Sequence, residues 1–193
     1  MAANRVLSEW QDDATDCRDI EARGNILQDV IGRCRVDEDD VLVVEGDLDL
    51  KALGVEYLSA LPDRLHVAGK LRMFAVKGLK QLCSTLTVTG DMNLYSCDEL
   101  EELPENLAVG GELEVCCDAL ANIPRGLRVS GNVTLMSPDD RPFRRIHNFQ
   151  SSWCSTETFG SQEKASERKK RTKSSALGRS SRTWKHPKRC VFP

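Results

Sequence analysis

No apolar run in this chain approaches the roughly 20 residues that an α-helix needs to cross a bilayer. The opening Met1–Trp10 stretch also lacks the apolar core of a cleaved secretory signal. The expectation is therefore a cytoplasmic protein, or one that is secreted without a cleaved signal peptide, and in either case no membrane partner. Paired metal-type cysteines are missing too. The eight cysteines (17, 34, 83, 97, 116, 117, 154 and 190) form no Cys-x-x-Cys and no disulfide-scaffold spacing, which favours reduced thiols in a cytosol-like compartment.

Histidine is scarce, with only His66, His147 and His186, and no Ser-His-Asp arrangement can be assembled from them. His186-x-x-x-Cys190 is a weak match to a zinc spacing. The acids Asp37–Asp40 stand side by side, not at the alternating positions of a calcium loop, and read as a solvated acidic cap. Most glycines of interest come singly rather than clustered before a helix, so no phosphate cradle is written here. Expected from these absences are no metal, no cofactor and no catalytic residue.

What is present in abundance is self-similarity. The pattern Leu-x-Val-x-Gly-x-Φ-x-Φ, with Φ being Leu, Met or Val, occurs five times, at Leu42–Leu50, Leu65–Met73, Leu86–Leu94, Leu107–Val115 and Leu127–Leu135. The starts are separated by 23, 21, 21 and 20 residues. Between the copies runs a second phrase, Leu-x-x-Leu-Pro, as in Leu58–Pro62 and Leu100–Pro104, with Leu79–Cys83 and Leu120–Pro124 as variants. A fixed period of this length means a stacked repeat architecture.

Alternation of apolar and variable residues is the period of a half-buried strand. Leu65, Val67, Leu71 and Met73 should point inward, while His66, Lys70 and Arg72 face water. The repeated glycines, Gly46, Gly69, Gly90, Gly111 and Gly131, mark a bend at which either a side chain would clash or φ must be positive. The proline of the second phrase ends one element and starts an extended return segment. A single unit cannot bury its own leucines, so the units must stack.

Ahead of the repeats the spacing predicts a helix over about Asp16–Cys34, with Ile20, Ile26, Leu27, Val30, Ile31 and Cys34 on one apolar face and Asp16 and Asp19 suited to its start. Val6, Leu7 and Trp10 suggest a shorter helix before it. Both are expected to cap the first rung, whose leucines and strand edges would otherwise be exposed.

The run Met92-x-Leu94-x-x-Cys97-x-x-Leu100-x-x-Leu103-Pro104 resembles the leucine-rich-repeat family over roughly residues 40–138. The resemblance implies a turn in which an Asn or Cys side chain satisfies backbone groups; Cys97 is in register for that role and Cys117 is one residue short. With Trp10, Glu21-Ala22-Arg23, Ile31 and Cys34 ahead of the repeats, the chain looks like the front half of bacterial leucine-rich-repeat effectors. Such effectors often carry a ubiquitin-ligase domain after the repeats, with a Cys-x-Asp catalytic loop. The only formal match here is Cys116-Cys117-Asp118, within a repeat and in an acidic stretch that disfavours a thiolate.

Two different polymers share the chain. The overall charge of −3 splits into 13 Lys and Arg against 27 Asp and Glu, or −14, over residues 1–140, and 14 against 3, or +11, over 141–193. Residues 150–190 hold few aliphatics and are expected to be disordered. Their basic run Glu167–Lys173 could serve as a targeting or nucleic-acid patch; elsewhere the acidic surface disfavours nucleic acid and anionic membranes. Pro142, Phe143, Ile146 and Phe149 can form one capping turn. Against that, the abrupt loss of pattern at Pro138 is also what a frame shift within a longer repeat gene would produce.

The expected fold is a β-solenoid of leucine-rich-repeat type with five repeats of about 21 residues. A helical cap occupies 1–39, the solenoid 40–138, and a basic, largely disordered tail 139–193, with its capping turn at 142–149. The expected function is a non-enzymatic protein-interaction module, effector-like in the more specific version and then acting in a host cell. The competing readings are a truncated or divergent ubiquitin ligase and a non-functional gene remnant. Candidate binding residues are the outward strand positions His66, Lys70, Arg72, Asp91, Asn93, Glu112, Glu114 and Arg128, facing a protein partner.

Overall fold

Stacking of the five copies is what the computed structural model displays, and it describes residues 2–120 and 123–136. The chain opens with α1 (Ala2–Asp12) and α2 (Cys17–Val30), followed by β1 (Cys34–Val36). Each copy of the repeat then contributes two short strands. The first strands are β2 (Leu42–Val44), β4 (Leu65–Val67), β6 (Leu86–Val88), β8 (Ala108–Val109) and β10 (Arg128–Val129). The second strands are β3 (Leu48–Asp49), β5 (Leu71–Phe74), β7 (Met92–Tyr95), β9 (Leu113–Cys116) and β11 (Val133–Met136).

The first strands together with β1 form a six-stranded sheet in the order β1-β2-β4-β6-β8-β10, and the second strands form a five-stranded sheet in the order β11-β9-β7-β5-β3. Every pairing between repeats is parallel and places equivalent residues opposite one another: Leu42 faces Leu65, which faces Leu86, and Leu71 faces Met92, which faces Leu113. The result is a β-solenoid of about 4 turns at a spacing of about 21 residues. In-register stacking turns one alternating sequence into continuous columns. Leu65, Val67, Leu71, Met73, Leu86, Val88, Met92 and Leu94 are all buried in a single core, each contributing about 1.5–3 kcal/mol by leaving water.

The glycine column settles which of the two reasons requires glycine. Only Gly46 has a positive φ, of 81°. At the next copies it is crowding: a Cβ on Gly69 would lie 2.5 Å from the carbonyl carbon of Gly46, and one on Gly90 would lie 2.9 Å from the Gly69 oxygen. The backbones approach so closely because they hydrogen-bond there, Gly90 N donating to Gly69 O at 2.9 Å and Gly111 N to Gly90 O at 3.0 Å. The two sheets meet along this column.

The front of the chain departs from the expectation in three respects. The second helix ends at Val30, not near Cys34, and Gly32, with φ of 101°, turns the chain into a strand. That strand, β1, pairs antiparallel with β2 and closes the first edge of the six-stranded sheet, so the cap is part strand and covers the edge directly. The buried face of α2 also differs. Ile26 and Val30 are buried as expected, but Ile20 and Ile31 are 49% and 50% exposed. Asp19, Ala22 and Arg23 take the inner positions instead. Asp16 is the N-cap, its carboxylate accepting from Arg18 N at 2.7 Å.

A buried polar cluster explains that exchange. The Asp19 carboxylate accepts from Ser59 N at 2.7 Å and pairs with Arg23 Nη2 at 3.1 Å. Arg23 Nη2 also donates to Ser59 Oγ at 2.7 Å, and Nη1 to the carbonyl of Trp10. Trp10 Nε1 reaches Ala60 O at 3.1 Å, and the Arg23 guanidinium lies 5.0 Å from the Trp10 ring centre. The helices are thereby fastened to the first return arm by charge-assisted bonds in addition to apolar packing. The expected tail 139–193, its disorder and its capping turn 142–149 lie outside the described residues.

Candidate functional site

Two outward surfaces follow from the strand alternation. On the six-stranded sheet the row reads His66, Thr87, Ala108 and Arg128, in register through consecutive strand pairs, while Val43, at the same register position on β2, is buried. On the five-stranded sheet the row reads Asp49, Arg72, Asn93, Glu114 and Thr134. Between them, at the glycine bend, stand Asp47, Lys70, Asp91, Glu112 and Asn132. The candidate residues are therefore brought onto three neighbouring rows, as the repeat implied. Lys70, Arg72, Glu112 and Arg128 are exposed, and His66, Asp91, Asn93 and Glu114 half-buried.

Their side chains largely engage one another from rung to rung. Lys70 Nζ pairs with Asp91 at 2.8 Å, and Arg72 with Asp49 at 3.7 Å. Asn93 Nδ2 donates to Glu114, Asn132 Nδ2 to Glu112 at 3.0 Å, and His66 Nε2 contacts Thr89 Oγ1 at 3.0 Å. The Lys70 ammonium holds the Asp91 carboxyl below the usual carboxylate range, and Asp91 in turn raises Lys70. Some carboxylates also clasp the backbone of the next rung: Asp47 accepts from Lys70 N at 2.8 Å, Asp63 from Ser84 N at 3.0 Å and Asp91 from Glu112 N at 3.0 Å. Part of what looked like variable surface is thus the polar stitching of the stack.

A further row escaped the sequence reading. One alternation step beyond the repeat pattern, Phe74, Tyr95, Cys116 and Met136 stand opposite one another on β5, β7, β9 and β11. The signal was available, since the residue after the last Φ is apolar or aromatic in four copies of five, with Lys51 as the exception. Phe74 is 43% exposed, and Lys51 Nζ sits 3.8 Å from its ring centre. Tyr95 Oη donates to Glu114 at 3.2 Å.

The thiols divide by position. Cys116, on the outer row, has its pKa raised by burial and then by the neighbouring charges of Asp118 and Asp98. Cys97 and Cys117 are fully buried and donate to the carbonyls of Tyr95 at 3.6 Å and Leu94 at 3.8 Å, both at the end of β7. Their mutual hydrogen bond lowers Cys97 and raises Cys117. Cys83 replaces the proline of the other return arms and is pushed up to about 11 by burial. Among the described residues no group of three or more His, Cys, Asp or Glu is placed to hold a metal ion, and no helix is long and apolar enough to cross a membrane.

Comparison with protein-family models, with curated proteins and with solved structures gives no match to this chain.

Proposed function

We propose that the chain is a non-enzymatic protein-interaction module of leucine-rich-repeat type, with a role like that of the bacterial effectors it resembles. The observation that carries this reading is the outer face of the five-stranded sheet, where two in-register rows of unlike side chains stand on a scaffold fixed by buried leucines. Such a face is preorganised, so little ordering opposes association. Stacked repeats offer partners an extended surface of this kind. The chemistry of Cys116 argues against the ubiquitin-ligase alternative, because a transfer nucleophile needs a lowered thiol pKa and burial with Asp118 and Asp98 drives it upward.

Photo-crosslinkers installed one at a time at Arg72, Glu114, His66 and Arg128 of the full chain test the module reading. One protein should be labelled reproducibly from a contiguous subset of these positions, and unmodified chain should compete. Labelling without positional preference would sink the idea. In a discharge assay with ubiquitin-loaded conjugating enzyme, no transfer is expected; transfer that disappears in Cys116→Ala would establish the ligase instead.

A further inference from the structure

The row Phe74, Tyr95, Cys116 and Met136 is the most apolar line on the outer face of the five-stranded sheet, and its register is fixed by the strand pairs beneath it. Neighbouring rungs are about 4.8 Å apart, so four side chains span roughly 14 Å. An extended peptide laid along the row would present same-side residues about 6.8 Å apart and lose register within two rungs. A helix whose apolar residues recur at i, i+3, i+4 and i+7 returns its stripe once per turn, about 5.4 Å along its axis, and stays close to the rung spacing over three turns.

Charge selects the kind of helix. Glu114 lies in the adjoining row beside Tyr95, and the exposed Asp98 and Asp118 follow within three residues of Tyr95 and Cys116, just past the ends of β7 and β9. At the other end Lys51 covers Phe74, and Arg72 is paired with Asp49. Residues 1–140 as a whole carry −14, so the field over this face attracts cations.

We infer that this row docks a basic amphipathic helix of a partner protein, its apolar stripe on Phe74, Tyr95 and Met136 and its Lys or Arg residues over Glu114, Asp98 and Asp118. The inference rests on the interaction-module reading and adds the partner's chemistry to it. Exposure of Phe74, unusual for a residue of its size, supplies the aromatic anchor around which such interfaces form. Lys51 swings off the ring when the helix arrives, since its contact is a single cation on one exposed face.

The test uses the full chain and a synthetic leucine–lysine peptide with leucines at i, i+3, i+4 and i+7, beside a peptide of the same pattern carrying glutamate for lysine. The lysine peptide should bind, and binding should weaken as salt rises. It should weaken by about tenfold or more when Phe74→Ala and Tyr95→Ala are combined, the effect of removing two partly buried rings from the contact. An unchanged urea midpoint in that variant shows that the fold persists. Undiminished affinity in the double variant, equal binding of the glutamate peptide, or no binding of either would overturn the inference. A natural partner crosslinked from His66 and Arg128 but not from the Phe74 row would do so while leaving the interaction module intact. No crosslinked partner from any outward position would end both.

Discussion

The joint between the helices and the first rung is held differently from any joint between rungs. Inside the stack each contact is made several times over, with leucine on leucine and glycine backbone on glycine backbone. At the front there is one joint, made once, and its centre is polar: Asp19, Arg23 and Ser59, roofed by Trp10. Repetition lets a solenoid use generic apolar chemistry, since register is specified by the period itself. A single unrepeated junction has no period to align it, and directional hydrogen bonds supply the alignment.

That contrast is broken most forcefully at Asp19. Asp19→Ala leaves the Arg23 guanidinium buried without its carboxylate and should destabilise the chain by about 3–5 kcal/mol, measured as the shift of the urea unfolding transition. Replacing Asp19 and Arg23 together with apolar residues of similar volume should cost much less than the sum of the single changes. If the double change costs the full sum, the cluster is not a coupled unit and the polar-joint account fails.

The same substitution should have opposite signs in the two regions. Gly90→Ala forces a methyl to within 2.9 Å of the Gly69 oxygen, in a column where the backbone cannot retreat without breaking its hydrogen bonds; a loss of about 1–3 kcal/mol is expected. Gly24→Ala, in the middle of α2, meets nothing nearer than Gln11 Nε2 at 3.7 Å and should gain about 0.5–1 kcal/mol from helix propensity. Thermal or urea unfolding of the two variants in parallel reads both signs. Destabilisation of equal size in both would remove the distinction between a crowded column and a permissive helix.

The same contrast governs how much of the molecule could be read from its sequence. The columns Leu42–Leu65–Leu86 and Leu71–Met92–Leu113 were legible because one pattern written five times predicts its own register. At the joint, periodicity misled: it placed Ile20 and Ile31 inside the cap, whereas Asp19 and Arg23 lie there and both isoleucines are exposed. Hydropathy counts a charge as outward and has no way to see that Ser59, 40 residues along the chain, completes its hydrogen bonding. On the candidate face the rows were legible, but their mutual pairing was not, because alternation fixes direction and says nothing of partners. The Phe74 row was missed by stopping one residue early in each copy.

The smallest expected effect concerns acid. Asp63 accepts from Ser84 N at 3.0 Å and from the Ser84 hydroxyl, clasping one rung to the next across 21 residues. The Ser84 side-chain bond is the main cause that lowers its pKa below the usual carboxylate value. A carboxyl with a lowered pKa in the folded chain stabilises it fully above the unfolded-state value, about 3.9. As pH falls through the folded value, both states become protonated and the stabilisation disappears. Asp91, lowered by Lys70 and by Glu112 N, acts in the same direction. The urea midpoint should therefore decline as pH drops below about 4, and Asp63→Asn should flatten part of that decline while lowering the midpoint slightly at neutral pH. The group is exposed, so the change should fall at the low end of the about 0.5–1.5 kcal/mol typical of a hydrogen bond. An acid profile identical in Asp63→Asn and the parent chain would mean that the clasp is incidental to the stack, and that the rungs are held by their leucines and backbone ladder alone.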